Sequence, residues 1–298
     1  MINIDFGIIA STIAAIIFAL QAVILFKGVK SANIYPGVLI SLALGIPTFV
    51  FLGIATGELS QIGQIKYEMM ILILLTGIVH FIIGRTLIYN STKLIGSNRV
   101  VPISSTSILT SVWLSTILLD EHITGIIIIA IILIFFGIII LSVSQDKNKR
   151  IEKNAFRRGM ILALLTVCTF TASTLLVRVT TSTTGLPILN LLIAYIAAII
   201  LYSIPLSTKK YRNTFRTLHK PELFCFILAG VLINIAHTFR YIALEITEIT
   251  VAQPILGTSP LFVVIFSYLI NRKIEYFNRK LILGMVTILI GINIYYLI

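Results

Sequence analysis

The sequence contains unusually little charge for its length. Only 11% of its 298 residues are Asp, Glu, Lys or Arg, whereas 58% are hydrophobic. Soluble domains usually carry about 25% charged and about 45–50% apolar residues. So little charge cannot cover a water-soluble surface, which excludes a soluble enzyme or binding module. It predicts a chain that is embedded in a lipid bilayer.

Acidic residues are the scarcer of the two charged classes. There are 11 Asp and Glu against 23 Lys and Arg, which gives a net charge of +12. This balance can indicate nucleic-acid binding, but the basic residues lie in short loops between apolar runs, where membrane orientation requires them. We therefore expect the lipid bilayer and a small-molecule substrate as partners, and no nucleic acid.

Motifs for catalysis or metal binding are also lacking. The two cysteines, Cys168 and Cys225, fall in or beside apolar runs without metal-ligand spacing, which is typical of packing residues. The sequence has no HExxH motif, no paired carboxylates at a helix–loop junction and no phosphate-binding loop. These absences disfavour an integral-membrane enzyme for lipid-linked substrates and ATP-driven pumping. We expect no catalytic residue, no cofactor and no metal site.

Long apolar runs are abundant, and ten of them can cross a bilayer, since a membrane helix needs about 20 apolar residues. Backbone polar groups find no water in lipid, so each run is expected to be helical. The predicted spans are 6–26, 36–54, 69–90, 100–119, 123–143, 160–180, 186–204, 223–244, 250–270 and 281–298. The predicted fold class is an all-α integral membrane protein with ten transmembrane helices.

The chain contains an internal repeat. A shift of 152 residues aligns PISSTSILTSVWLS (102–115) with PILGTSPLFVVIFS (254–267), and seven of these fourteen positions are identical. The same shift aligns Phe18 with Phe170. Because each copy has five spans, the second should enter the membrane upside down, as in transporters built from inverted repeats. We predict repeats at 1–146 and 159–298, joined by a basic cytoplasmic linker at 147–158.

The distribution of Lys and Arg predicts the orientation. Nineteen of the 23 lie in odd-numbered loops, one (Lys66) lies in an even-numbered loop, and three lie within spans. The positive-inside rule then places the odd-numbered loops in the cytoplasm and both termini outside. We expect a multi-pass protein of the cell (plasma) membrane.

Each half has a proline in its fourth span, followed by a charged cluster. These are Pro102 with DEH at 120–122, and Pro254 with NRKIE at 271–275. Together with the five-helix duplication, this pattern resembles the drug/metabolite transporter superfamily, and within it the ten-helix EamA-type transporters. The resemblance covers essentially the whole chain. It implies a solute carrier that works by alternating access, with a central cavity lined mainly by helices 1, 3, 4, 6, 8 and 9.

The resemblance implies no single substrate, since members of the superfamily carry amino acids, nucleotide sugars, phosphorylated sugars, organic cations and drugs. Its small four-helix members couple to protons through a glutamate in their first helix. This chain has Gln21 and no carboxylate in that helix, so that mechanism is not implied here. Coupling to protons or to a counter-substrate is left open, as are the direction of transport and the oligomeric state.

Two spans carry basic and polar residues in their interiors, although a charged side chain at the bilayer centre costs about 2.5–3.5 kcal/mol. The third and eighth spans are repeat partners, which favours one shared cavity. The competing interpretation is that Arg240 extends to the interface and that His80 only packs. The basic and polar residues predicted to line this cavity are His80, Arg85 and Tyr89 in the third span, and Asn234, His237, Arg240 and Tyr241 in the eighth.

Four further residues complete the predicted cavity. Gln21 lies in the first span, Ser107 and Trp113 lie in the hydroxyl-rich fourth, and Gln253 lies in the ninth. The hydroxyls can also be explained by close helix packing. Pro102 and Pro254 each remove an intrahelical hydrogen bond, so both are predicted to kink their helices.

Carboxylates are missing from the middle of every predicted span, which counts against a cationic substrate. Our leading hypothesis is a secondary transporter of a small anionic or zwitterionic metabolite, such as an amino-acid-like compound or an organic or phosphorylated anion. Arg85 and Arg240 would hold its acid group, with His80 and His237 as hydrogen-bond donors or proton carriers. The alternative is an efflux carrier of hydrophobic or aromatic compounds with broad specificity.

Overall fold

A computed structural model describes residues 2–121, 125–143 and 152–271, and the single positions 280, 283, 284, 286, 287, 290, 291 and 294. This part of the chain is helical, with short turns and no strand. The main helices are α1 (Ile2–Val29), α2 (Ile34–Ala55), α3 (Tyr67–Ile95), α4 (Ser97–Leu118), α5 (Gly125–Val143), α6 (Lys153–Thr184), α7 (Pro187–Ser203), α8 (Lys220–Ile246) and α9 (Ile249–Ile270).

These helices follow the order of the first nine predicted spans. Eight of them, α1 to α4 and α6 to α9, are long and apolar enough to cross a membrane. The fifth, α5, is a run of 19 residues that are all apolar except Ser142. The tenth predicted span, 281–298, lies largely outside the described residues, and so does much of the linker at 147–158. The described structure is therefore that of an all-helical, multi-span membrane protein.

The third helix changes its hydrogen-bonding pattern along its length. It is α-helical over Tyr67–Thr76, π-helical over Gly77–Gly84 and α-helical again over Arg85–Ile95. π-Helical turns are rare and are frequently found at functional sites. Here the wider turns contain His80 and end directly before Arg85, so the irregular segment carries the basic residues of this helix.

Two helices are interrupted at equivalent points of the repeat. In α4 the α-helical segments Ser97–Ser105 and Ser107–Leu118 are separated by Thr106. In α9 the segments Ile249–Leu256 and Ser259–Ile270 are separated by two residues, the second of which is Thr258. Each threonine N–H donates to a carbonyl three residues back, at 3.1 and 3.0 Å. The interruptions lie just after the two prolines predicted to kink these helices.

Large aromatic side chains fill the core between α2, α3, α7 and α8. Phe49, Phe81, Tyr195 and Phe226 are almost completely buried there. Tyr195 packs edge-on against Phe49, with ring centroids 4.7 Å apart. The outward-facing side chains of the spans are mostly apolar, as expected for contact with lipid. This arrangement leaves the polar residues of α3 and α8 facing inward.

Candidate substrate cavity

A cavity of about 150 Å³ lies among six helices. Its walls are α1, α3 and α4 from the first half of the chain and α6, α8 and α9 from the second. These are the six helices that the resemblance implied. Eight of the eleven residues predicted to bind substrate line the cavity. They are Gln21, His80, Arg85, Tyr89, Ser107, His237, Arg240 and Gln253.

Arg85 is buried at the edge of this cavity, with 2% of its surface exposed. Its Nη1 donates to the Ser41 hydroxyl at 2.9 Å and its Nη2 donates to the Tyr195 hydroxyl at 2.7 Å. The guanidinium carbon lies 4.9 Å from the ring centroid of Phe81 and 5.2 Å from that of Tyr195, within the range of cation–π attraction. All of these partners are neutral, so the positive charge of Arg85 is not cancelled by its neighbours.

A hydrogen-bond network holds Arg85 in place. The Tyr195 hydroxyl donates to Asn234 Oδ1 at 2.8 Å, and Asn234 Nδ2 donates to the Ser41 carbonyl at 3.2 Å. The network thus joins α2, α3, α7 and α8. Asn234, predicted as a cavity residue, instead supports the cavity from behind. Ser41 and Tyr195 were missed by the sequence analysis, because a single polar residue in an apolar span gives no sign of its partner.

Arg240 is also buried, with 6% of its surface exposed, so its side chain does not extend to the interface. Its Nη2 donates to Thr174 Oγ1 at 2.9 Å, and Gln253 Nε2 donates to the same oxygen at 3.2 Å. Its Nη1 is buried and has no hydrogen-bond partner in the part of the chain that the structure describes. Buried polar groups are rarely left unpaired, so this nitrogen is a candidate ligand contact.

Two histidines lie next to each other on the cavity wall. The rings of His80 and His237 meet edge-on, with centroids 4.9 Å apart. His80 stacks on Phe170 at 5.0 Å and its Nδ1 lies 2.7 Å from the Ser173 hydroxyl. Neither ring nitrogen of His237 has a hydrogen-bond partner among the described residues. Phe18 packs edge-on against His237 at 5.1 Å, which adds an aromatic surface to a basic site.

The comparisons with known proteins identify the family. The model of the EamA-like transporter family matches residues 5–143 and 157–297. The chain belongs to the EamA-like transporter family. Its two matches, one in each half, correspond to the duplication read from the sequence, and they make the protein a multi-pass membrane transporter.

The fold of this transporter is shared with a protein of solved structure over nearly the whole chain. A crystal structure of another protein is similar over 96% of this chain and 95% of that chain, with a TM-score of 0.71 and 11% sequence identity. At this identity the likeness concerns the fold alone. No curated protein matches the sequence.

Three predicted residues of the transporter do not line the cavity. Asn234 belongs to the supporting network, and Tyr241 is buried behind the wall, with 1% of its surface exposed and no partner for its hydroxyl among the described residues. Trp113 is 65% exposed on the outside of α4. The inner face of α4 instead carries Ser107 and Ser111, and at about 100° per residue a tryptophan two positions after Ser111 points away from them.

The repeat relates three cavity-lining residues that were not predicted to bind substrate to positions in the other half. Phe18 and Phe170 are equivalent in the two halves, and both line the cavity. Ser259 is the equivalent of Ser107, and it lines the cavity as well. Applying the 152-residue shift to the predicted Ser107 would have found Ser259, whereas Phe18 and Phe170 could not be found this way because neither was a predicted residue.

A buried carboxylate joins the two halves of the transporter at the even-numbered loops. Glu58, in the short 3₁₀ segment Glu58–Gln64, accepts hydrogen bonds from the N–H groups of Ile188 and Leu189, both at 2.9 Å. These groups are the free donors at the start of α7. Burial raises the pKa of Glu58, although the two bonds oppose that shift.

Glu121 makes the corresponding contact with α9. Its carboxylate accepts from the N–H groups of Ile249 and Thr250, at 3.0 and 3.1 Å. Arg178 Nε lies 3.4 Å from the same carboxylate, and Arg178 Nη1 donates to the Leu244 carbonyl at the end of α8 at 3.0 Å. Both carboxylates come from the first half and both contacted helices begin in the second. These contacts hold the halves together at one end.

Among the residues that the structure describes, no group of three or more His, Cys, Asp or Glu side chains stands close enough together to hold a metal ion.

Proposed function

We propose that this EamA-like transporter carries a small anionic or zwitterionic metabolite. The observation that carries the proposal is that Arg85 and Arg240 line one cavity, both buried and both bonded only to neutral groups among the described residues. A buried charge is costly unless it is paired. A carboxylate or phosphate of the substrate would supply the missing partner through charge-assisted hydrogen bonds.

The remaining lining residues would orient the rest of the substrate. His80, His237 and Gln253 offer hydrogen-bonding groups, and Ser107 adds a hydroxyl on the wall formed by α4. Phe18, whose ring packs against His237, contributes an apolar surface beside these groups. A mostly apolar site with a few convergent polar groups is typical of small-molecule binding.

Transport would proceed by alternating access between inverted repeats at 1–146 and 159–298, linked by 147–158. The Glu58 and Glu121 contacts support a state that is shut at the even-numbered loops. Leu25 and Thr92, close to the odd-loop ends of α1 and α3, still line the cavity. With the odd-numbered loops in the cytoplasm and both termini outside, as the positive-inside rule predicts for the plasma membrane, this state would face inward.

Uptake into proteoliposomes tests the charge-recognition proposal. Arg240→Gln removes one guanidinium from the cavity, and Arg216→Gln removes an exposed arginine of the helix Lys209–Arg216 as the matched control. We expect uptake of a transported organic anion to fall at least about tenfold for Arg240→Gln alone, since a hydrogen bond to a charged group contributes about 1.5–3 kcal/mol. Equal uptake by both variants for every transported anion would contradict the proposal.

Proton coupling through the histidine pair is a separate part of the proposal. His80 and His237 are adjacent titratable groups on the cavity wall, and histidine is the usual proton carrier near neutral pH. A pH jump across the proteoliposome membrane should drive uptake in the parent protein and not in His237→Gln. An unchanged response in both single His→Gln variants would exclude the histidine pair as the proton carrier, and a parent protein that does not respond to the pH jump would indicate exchange or facilitated transport.

A second candidate function rests on the aromatic side of the cavity. Phe18, Tyr89 and Phe170 all line it, and aromatic rings bind planar apolar compounds well. An efflux carrier of hydrophobic or aromatic compounds would show competition among many chemically unrelated apolar ligands. An anion carrier would show competition that depends on the acid group.

A further inference from the structure

The two cavity arginines differ in how many of their terminal nitrogens are already bonded. Both terminal nitrogens of Arg85 donate to protein groups, Ser41 and Tyr195. Arg240 uses Nη2 on Thr174, while its Nη1 is buried and has no partner within the described ranges. Arg85 can therefore act on a ligand mainly through its charge, whereas Arg240 can also donate a hydrogen bond to it.

Other buried groups on the same wall are unpaired as well. Gln21 Nε2 and both ring nitrogens of His237 have no hydrogen-bond partner in the described part of the chain, and the two residues are 5% and 2% exposed. With Arg240 Nη1 they come from α1 and α8 and line one cavity. Gln21 Nε2 and Arg240 Nη1 can only donate, and a neutral imidazole donates from one of its two nitrogens. The site therefore has more donors to satisfy than acceptors.

We infer that the cavity selects organic anions that carry no ammonium group, with the acid group held by Arg240 and Gln21. The inference rests on the proposed function and narrows it from anionic or zwitterionic substrates to net anions. An acid group offers only acceptors, and these match the unpaired donors of this wall. An ammonium group offers only donors, and it would compete with Arg240 and Gln21 for the few acceptors.

Electrostatics separate the two ligand classes further. The guanidiniums of Arg85 and Arg240 are buried in one cavity, and like charges repel strongly where water is excluded. The carboxylate of an α-amino acid would be attracted to this site while its ammonium group, two bonds away, would be repelled. A hydroxyl in place of the ammonium removes that repulsion and keeps a hydrogen-bonding group.

Matched ligand pairs test the inference on the purified full-length protein. Lactate and alanine, malate and aspartate, and phenyllactate and phenylalanine each share a carbon skeleton and differ in a hydroxyl or an ammonium group. Dissociation constants come from ligand-dependent thermal stabilisation in detergent. We expect the hydroxy acid of at least one pair to bind about tenfold or more tightly than its amino acid, a difference that one like-charge contact can supply.

Variants show whether the preference comes from the cavity charge. Arg240→Gln should reduce the ratio of the dissociation constant of the amino acid to that of the hydroxy acid, whereas Arg216→Gln should leave this ratio unchanged. If both members of every binding pair bind equally, selection against ammonium is wrong and the proposed anionic or zwitterionic substrate class stands. If an amino acid binds more tightly than its hydroxy acid, the inference is likewise wrong. If no ligand of any pair binds, the inference is wrong for these acids, whereas the proposed function is tested separately by the uptake of a transported anion in Arg240→Gln.

Discussion

Arg85 and Arg240 carry the same charge, but their surroundings assign them different tasks. Arg85 is locked between α2 and α7 by Ser41 and Tyr195, so its loss should weaken the fold around it. Arg240 is held by Thr174 alone among described groups and has one terminal nitrogen left for a ligand. The roles can be separated by substitutions that keep the positive charge.

Lysine substitution should have opposite effects at these two positions. Arg85→Lys keeps the charge but cannot bond Ser41 and Tyr195 together, so we expect a stability loss of about 1–3 kcal/mol with little change in anion affinity. Arg240→Lys should lower anion affinity about tenfold with a smaller stability loss. For both variants, thermal unfolding measures the loss of stability and ligand titration measures the anion affinity. A pattern in which Arg85→Lys mainly loses affinity would assign the ligand contact to Arg85.

At the residue scale, the polar residues of the cavity could be predicted from the sequence better than their hydrogen-bond partners. Charge and repeat symmetry marked Arg85, His237 and Arg240, because such residues are conspicuous in apolar runs. Tyr195 could not be found this way, since its role depends on α7 lying beside α3 in three dimensions. Trp113 was misplaced because the serines of α4 marked a polar face, but its position relative to that face was not considered.

At the element scale, α3 is the helix whose shape matters most. Its π-helical segment Gly77–Gly84 carries His80 and leads into Arg85. Gly77, the first residue of this segment, packs directly on α7, because a Cβ at Gly77 would lie 2.4 Å from the Ala194 carbonyl oxygen. That oxygen belongs to the backbone and cannot rotate away, so the contact requires glycine.

Gly77→Ala should therefore separate α3 from α7. We expect a loss of about 1–3 kcal/mol of stability, as for overpacking in a core. Gly63→Ala is the matched control, since nothing lies within 4 Å of a Cβ at that glycine. Equal thermal unfolding of the two variants would show that the α3–α7 contact can relax.

The carboxylates at the even-numbered loops act on the start of two helices. Glu121→Gln keeps one acceptor for the N–H groups of α9 but loses the ion pair with Arg178. We expect a loss of about 1–2 kcal/mol in thermal unfolding. Glu152→Gln, at an exposed carboxylate that makes no side-chain cap bond before α6, should change stability by less than about 0.5 kcal/mol. A loss no larger in Glu121→Gln would mean that this contact does not hold the halves together.

The existence and order of the helices followed from hydrophobic length, since the bilayer demands about 20 apolar residues for each span. The irregularities within the helices did not follow from hydrophobic length. The π-helical turns of α3 begin at Gly77, where the helix packs closely against α7, and hydrophobic length gives no sign of such a contact. The interruptions of α4 and α9 were foreseen near Pro102 and Pro254, but their positions at Thr106 and Thr258 are visible only in the backbone.

At the scale of the whole molecule, the proposed function depends on two halves that line one cavity. The first half contributes Arg85 and the second contributes Arg240, so the positive charge of the site belongs to neither half alone. The two family matches, one in each half, agree with a repeat whose third helix carries basic residues in both halves. This repeat does not fix the substrate, because the matched positions differ: Arg85 aligns with His237 at the 152-residue shift.

The central claim is that this cavity binds an organic anion through its buried positive charge. Titration calorimetry of one bound organic anion against the parent protein, Arg240→Gln and Arg216→Gln tests it most directly. We predict that the dissociation constant rises about 10- to 100-fold in Arg240→Gln, the loss expected for one charge-assisted hydrogen bond, and does not change in Arg216→Gln. The same dissociation constant in all three proteins would contradict the account.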